Sequence, residues 1–157
     1  MKIKLLVVGK TDDSRIQSLI DEYTNRLKHY ISFEIDIIPD IKNVKKLSVD
    51  QQKSKEGELI LAKTSPSDRL ILLDEKGKEF SSVDFSKYLQ KHMNSGVKQV
   101  IFVIGGPYGF SKEVYNKAQG KISLSQMTFS HQMVRLFITE QVYRAFTILR
   151  NEPYHHE

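Results

Sequence analysis

A glycine-rich motif in the second half of the chain could form a ligand site. The apolar run at 99–104 predicts a buried strand, and the motif GGPYGF follows directly at 105–110. Missing side chains let a ligand approach the backbone, and the N–H groups of such a turn can face that ligand. A proline and a tyrosine interrupt the glycines and no Lys-Ser/Thr pair follows, which excludes the usual dinucleotide and triphosphate motifs. A plain tight turn is the alternative interpretation.

A second candidate site lies just before the last predicted helix. Residues 123–129, SLSQMTF, mix hydroxyl groups with apolar side chains, which would suit a nucleoside or an ordinary connecting loop. His131 and Arg135 follow on one face of the helix, because they are four positions apart. A helix N-terminus disfavours imidazolium, so a neutral His131 could accept a proton and Arg135 could hold a phosphate or an oxyanion. Alternatively, His131 helps Ser130 to cap the helix and Arg135 pairs with a carboxylate.

The last helix and the end of the chain carry further candidates. The predicted helix Ser130–Arg150 is apolar around well over half of its circumference, which indicates burial by its own sheet and by a second subunit. Arg144 lies four positions after Glu140, so it either pairs with this glutamate or reaches a site at the subunit interface. The terminal NEPYHHE is typical of a disordered tail. We expect no metal, because two adjacent histidines lack a third placed ligand.

Alternating strands and helices must position these groups. We expect an α/β fold with a mainly parallel sheet and right-handed crossovers. We interpret Glu75–Lys78 as a glycine turn and Asp40–Val49 as a mobile surface loop. The predicted strands are Ile3–Val8, Phe33–Ile38, Arg69–Leu73, Gln99–Ile104 and Ile122–Leu124. The predicted helices are Asp12–Tyr30, one from a Ser48/Gln51 capping box to Lys63, Ser82–Asn94, a short one capped by Ser111, and Ser130–Arg150.

The composition limits the class of protein. A chain of 157 residues with 39% apolar content supports one core, so we expect a single domain over 1–157. The absence of cysteine excludes disulfides and thiolate metal sites and makes a reducing cytoplasm the default. No apolar stretch has the length of a membrane span, and Leu5–Val8 is too short for a signal peptide. The net charge of +5 favours a polyanionic partner such as nucleic acid.

Four segments and their order resemble one known family along the whole chain. The sequence resembles the ribosomal RNA large subunit methyltransferase H family of the SPOUT class in LLDEKGKEFSS, FVIGGPYGF, ISLSQMTFSHQMVRLFITEQVYRAF and the final PYHHE. The resemblance begins at MKIKLLVVGK and includes the length. One departure is Ser130, where the family is expected to have proline, although serine can also cap a helix.

The resemblance implies a fold, a cofactor and a reaction. The fold would be a SPOUT-type α/β sheet flanked by helices with a C-terminal trefoil knot, which pattern alone does not predict because knots are rare. The reaction would be methyl transfer to N3 of a pseudouridine in 23S rRNA of the assembled ribosome, by a cytoplasmic homodimer. The residues implied to hold S-adenosylmethionine are Leu73, Gly105, Leu124, Ser125, Gln126, Met127, Thr128 and Phe129.

The same resemblance leads to hypotheses about the reacting groups. We expect His131, or a tail histidine, His155 or His156, to accept the N3 proton. Arg135 and Arg144 would position phosphate or uracil oxygens, and Tyr154 would lie over the flipped base. Two alternatives stay open: a non-catalytic rRNA-binding or ribosome-assembly protein of the same fold, and a monomeric nucleotide-binding regulator of flavodoxin-like type.

Overall fold

A computed structural model describes residues 1–156. Their five strands form one sheet in the order β2-β1-β4-β3-β5, with every neighbouring pair parallel. The strands are β1 Lys2–Val8, β2 Ser32–Ile38, β3 Arg69–Glu79, β4 Gln99–Ile104 and β5 Gly120–Ser123. The helices are α1 Ser14–Leu27, α2 Val49–Ala62, α3 Ser82–Asn94, α4 Lys112–Lys117 and α5 His131–Leu149. The predicted α/β fold with a mainly parallel sheet is therefore confirmed.

Helices cover both faces of the sheet, which explains the nearly continuous apolar runs of its strands. Side chains of a strand alternate between the two faces, and in β1 Leu5 and Val7 face one core while Leu6 faces the other. The first core includes α1, α3 and α5, and the second includes α2 and α4. None of the helices within 1–156 has the length and apolar character that crossing a bilayer requires.

Local capping signals fix several helix starts. The predicted capping box is confirmed, since Ser48 Oγ accepts from the Gln51 N–H at 3.1 Å and the Gln51 side chain accepts from the Ser48 N–H at 2.9 Å. Ser111 caps α4 as predicted. The helix α1 begins later than predicted, at Ser14, because the Asp13 side chain caps it. The segment predicted to be a loop at 40–49 contains a 3₁₀ turn at Val44–Lys46.

The strand β3 is longer than predicted, and the glycine turn expected at Glu75–Lys78 is wrong. Ile122 of β5 pairs with Leu73 and, after a register shift, again with Lys78. Gly77 lies against the backbone of β5 here, where a Cβ would be 2.5 Å from the carbonyl carbon of Ile122. This glycine therefore allows a close approach of two backbones inside a sheet. Leu73 lies at the irregularity of β3 instead of at a strand end.

Candidate functional site

A cavity of about 630 Å³ opens at the carboxyl ends of β4 and β5, beside the irregular part of β3. This edge is where open parallel sheets generally bind ligands. Of the residues proposed from the sequence, the cavity is lined by Leu73, Gly105, Leu124, Ser125, Met127, Thr128, Phe129 and His131. Gln126 is exposed and is not part of the lining. Leu73 of β3, the glycine turn and the 124–129 loop thus meet around one cavity.

The glycines after β4 are required by close packing and by backbone conformation. A Cβ on Gly105 would lie 3.0 Å from the Phe110 ring, and one on Gly106 would lie 2.2 Å from Oε2 of Glu56. Gly109 has φ +78°, and its N–H donates to the Gly106 carbonyl at 3.1 Å. The segment is the tight turn of the alternative interpretation, and it also forms a wall of the cavity. Its binding of a ligand stays a prediction.

The loop between β5 and α5 is held by its own hydrogen bonds. Ser123 Oγ donates to the Ser125 carbonyl at 2.8 Å, and the Met127 N–H donates to Ser125 Oγ at 3.0 Å. The Phe129 ring packs edge-on against Phe137 of α5, with 5.1 Å between centroids. These contacts give the cavity a preformed wall.

His131 is the first residue of α5 and lies at the rim of the cavity, where it keeps part of its surface exposed. Partial burial lowers the pKa of His131, the nearby Arg135 lowers it further, and Glu56 opposes the shift. The pKa of His131 is therefore lowered, as expected from the sequence, but the main cause is desolvation and not the helix N-terminus. Ser130 caps the helix alone, accepting from the Met133 N–H at 3.3 Å. A neutral imidazole at the rim can accept a proton.

Arg135 does not lie in the cavity lining. Its side chain is 3% exposed. Its Nη2 donates to the Val8 carbonyl at 2.7 Å and its Nη1 donates to Thr11 Oγ1 at 3.1 Å, whereas its Nε has no partner within residues 1–156. It therefore ties α5 to the end of β1, and within residues 1–156 it does not form the carboxylate pair that was the alternative for it. Its contact with a phosphate or an oxyanion stays a prediction.

The end of the chain packs against α1 and α5 and forms a compact group, which we call the tail cluster: Glu140, Arg144, Tyr154 and His155. The Arg144 guanidinium binds Glu140 Oε1 at 2.6 Å, lies 4.7 Å from the centre of the Tyr154 ring and approaches His155 Nδ1 to 3.3 Å. The Tyr154 hydroxyl donates to Glu140 at 3.0 Å and lies 3.2 Å from the Tyr23 hydroxyl. Burial and these hydrogen bonds raise the pKa of Tyr154, so it stays a neutral phenol. The expectation of a disordered tail is wrong for 152–155.

Within one chain the tail cluster is far from His131. Arg144 follows His131 by 13 positions on α5, which corresponds to about 20 Å along the helix axis at 1.5 Å per residue. A smaller cavity of about 310 Å³ lies towards the cluster and is lined by Phe129, Phe137 and Glu140, among others. His156 is exposed at the surface. The structure therefore brings His131 together with the proposed cofactor residues but leaves the tail residues apart from them.

Two residues of α2 belong to the site and were missed in the sequence. Lys53 lines the cavity, and the buried Glu56 packs behind Gly106. The spacing of Glu56 and Ile60 could have indicated the burial of Glu56. Residues four positions apart share a helix face, and the apolar Ile60 marks the face that is turned to the core. Across the described part of the chain, no three His, Asp or Glu side chains are grouped so that they could hold a metal ion.

Comparison with known proteins identifies the family. The family described as "Predicted SPOUT methyltransferase" matches residues 1–155. Proteins named ribosomal RNA large subunit methyltransferase H are 71% identical in Flavobacterium johnsoniae, 64% in Parabacteroides distasonis and 55% in Bacteroides thetaiotaomicron. Each of these similarities covers 100% of both chains. The chain therefore belongs to the SPOUT methyltransferases and, within them, to the ribosomal RNA large subunit methyltransferase H family.

Proposed function

We propose that this protein transfers a methyl group from S-adenosylmethionine to N3 of a pseudouridine in 23S rRNA of the assembled ribosome. The observation that carries the proposal is the preformed cavity, in which a neutral histidine meets two loops and the irregular part of β3 at the carboxyl edge of the sheet. Full-length relatives named for large-subunit rRNA methylation support the same substrate class. The proposal includes a single domain, supported by one family match over 1–155, and a cytoplasmic location, where ribosomes are assembled.

The cavity fits the proposed cofactor. Its volume of about 630 Å³ is within the usual range for small-molecule sites. Apolar side chains such as Leu73 and Leu124 suit an adenine ring, the hydroxyl groups of Ser125 and Thr128 suit a ribose, and Gly105 permits contact with the backbone. When bound, S-adenosylmethionine supplies a methyl group that a positively charged sulfur has already activated.

His131 would remove the proton from the methylated nitrogen. Its lowered pKa keeps the imidazole neutral at neutral pH, and its position at the rim lets a base that enters from solvent reach it. The N3–H of a uracil ring is a weakly acidic imide, so an aligned base of ordinary strength is sufficient. Arg135 would act indirectly, by holding the start of α5 against Val8 and Thr11.

The tail cluster would serve the reaction in a homodimer. Arg144 follows Arg135 by nine positions. At about 100° per residue, the two side chains lie on opposite sides of α5. A flipped base cannot bridge about 20 Å from His131 to Arg144 in the same chain. A second subunit can bring its own Arg144, Tyr154 and His155 to this cavity. Half-buried apolar residues of α5 would form part of the contact: Met133, Leu136, Phe137 and Ile148.

The C-terminal trefoil knot belongs to the same proposal. Gly77 lies against the backbone of β5, and Ile122 pairs with β3 residues before and after this point. This close approach beside a break in register supports a passage of the chain at this place.

A mixing experiment tests this function and its dimeric site together. His131→Ala and Arg144→Ala should each abolish methylation of ribosomes measured with radiolabelled S-adenosylmethionine. After co-refolding of equal amounts, half of the dimers are mixed and each has one intact site of two, so roughly a quarter of wild-type activity should return.

The controls separate the possible failures. Each variant alone, refolded in the same way, should stay inactive, and mass spectrometry of the rRNA should place the methyl group on one pseudouridine. No recovery in confirmed mixed dimers would refute the shared site. A wild-type protein that binds ribosomes but no cofactor would support the non-catalytic rRNA-binding alternative, and a monomeric mass would support the flavodoxin-like one.

A further inference from the structure

The side chain of Glu56 is the one buried carboxylate among residues 1–156. It is 4% exposed on α2, where most neighbouring positions are in solvent. Its Oε1 accepts a hydrogen bond from Gln52 Nε2 at 3.0 Å, and no Lys, Arg or His of the described chain forms an ion pair with it. Burying a carboxylate without a cation is costly, so a group at this position requires a reason.

This carboxylate lies directly behind a wall of the cavity. A Cβ on Gly106 would be 2.2 Å from Oε2 and 2.6 Å from Oε1 of Glu56. The Glu56 carboxylate therefore packs directly against the backbone of Gly106, in the space that a side chain would occupy. Gly106 lines the cavity next to Gly105. Adjacent Cα atoms are about 3.8 Å apart and a van der Waals contact adds about 3.5 Å, so a ligand atom that touches Gly105 lies within roughly 11 Å of the carboxylate. Neither Gly105 nor Gly106 has a side chain that could stand between them.

The negative charge of Glu56 influences groups in the cavity. It acts on His131, whose pKa it raises against the larger opposite effect of burial. Two charges about 11 Å apart in a partly buried site interact strongly enough to change an affinity by on the order of tenfold. Lys53 also lines the cavity but forms no ion pair with Glu56. A positively charged ligand would therefore supply the missing counter-ion.

We propose that Glu56 is a positioning residue whose carboxylate favours a cationic ligand in the cavity, the sulfonium donor, over its neutral thioether product. The inference rests on the proposed methyl-donor function. Methyl transfer breaks the sulfur–carbon bond, the electron pair stays on sulfur, the new carbon–nitrogen bond forms at N3, and the N3 proton passes to the base. The sulfur loses its positive charge in this step, so the attraction by Glu56 disappears and the product is released more readily.

The alternative is a purely structural glutamate that supports Gln52 and the glycine turn. A structural role would alter the binding of donor and product equally, because both have the same nucleoside and amino-acid parts. An electrostatic role would alter the donor alone. The ratio of the two dissociation constants therefore separates these roles, and it does not depend on turnover.

Isothermal titration calorimetry with Glu56→Gln tests the proposal. The amide has the same shape and can still accept from Gln52, so only the charge is removed. We expect the Kd of S-adenosylmethionine to rise about tenfold, while that of S-adenosylhomocysteine changes less than twofold. Glu58→Gln, on an exposed position of the same helix, is the matched control and should change neither value.

A measurement on the wild-type protein covers the case in which Glu56→Gln does not fold. Sinefungin, which has an ammonium group near the sulfonium position, should bind about tenfold more tightly than S-adenosylhomocysteine. Equal affinities for these two ligands, or an equal loss for donor and product in Glu56→Gln, would overturn the assignment of Glu56. A wild-type protein that binds none of these ligands would instead refute the proposed function.

Discussion

Gly77→Ala should destabilise the protein more than an alanine at any open glycine. The added Cβ would lie 2.5 Å and 2.6 Å from the carbonyl carbon and nitrogen of Ile122, and 2.7 Å from the carbonyl carbon of Lys121. These are backbone atoms of β5, which pairs with β3 on this stretch, so they cannot rotate away as a side chain would. Relief requires one strand to move, which also shifts the cavity wall beside Leu73.

The expected loss in free energy of unfolding is about 3 kcal/mol or more, at the upper end of overpacking effects. For a protein of this size, such a loss lowers Tm by roughly 6–12 °C. Urea unfolding followed by circular dichroism measures the first value and calorimetry the second. Gly96→Ala is the control, because its φ of +74° adds strain of about 1–2 kcal/mol but no atom lies within 4 Å of the added group. If both variants unfold at the same urea concentration, the close contact between Gly77 and the backbone of β5 is refuted.

Four further substitutions or conditions test other parts of the structure. Ser48→Ala removes the capping box of α2 and should cost about 1 kcal/mol in urea unfolding. Arg135→Met leaves the Val8 carbonyl without its donor and should cost about 2 kcal/mol in the same assay. Tyr154→Phe loses hydrogen bonds to Glu140 and Tyr23, so kcat should fall about tenfold while calorimetry shows unchanged cofactor binding. If neutral His131 is the base, kcat measured against pH should fall on the acid side with an apparent pKa below about 6.5.

Most of the fold could be predicted from local pattern. The helix at Ser82–Asn94 and the strand at Gln99–Ile104 have the predicted bounds, because apolar periodicity and clear caps mark both. Gly77 was predicted to lie in a turn but lies inside β3. Turns and close approaches of two strands both favour a residue without a side chain, so the glycine alone does not distinguish them. The requirement at Gly77 comes from Lys121 and Ile122, more than 40 positions away, and no local pattern contains it.

The candidate site could be predicted in part for a similar reason. The family resemblance implied that the glycine turn and the 124–129 loop share one site, and both segments line the same cavity. The physical reason is that loops which follow parallel strands meet at one edge of the sheet. The position of Arg135 could not be predicted from its spacing to His131, because its Nη1 and Nη2 donors are used by Thr11 and Val8, more than 120 positions away. Glu56 was missed because its helix is mostly polar.

The helix α5 connects these features, since it is fixed at its start by contacts remote in sequence and near its end by contacts with the terminal segment. At its start, Gln132 accepts from the Asp12 N–H at 2.9 Å and Arg135 holds the Val8 carbonyl, so His131 is placed by the end of β1. Near its end, Arg144 is held by Glu140 and stacks on Tyr154. A helix fixed in this way presents His131 and Arg144, the two groups proposed to act in the reaction, at a constant separation. In the proposed homodimer, a second subunit completes each cavity only if the two copies of α5 cross in one geometry, so small substitutions in the proposed contact face should reduce kcat before they dissociate the dimer.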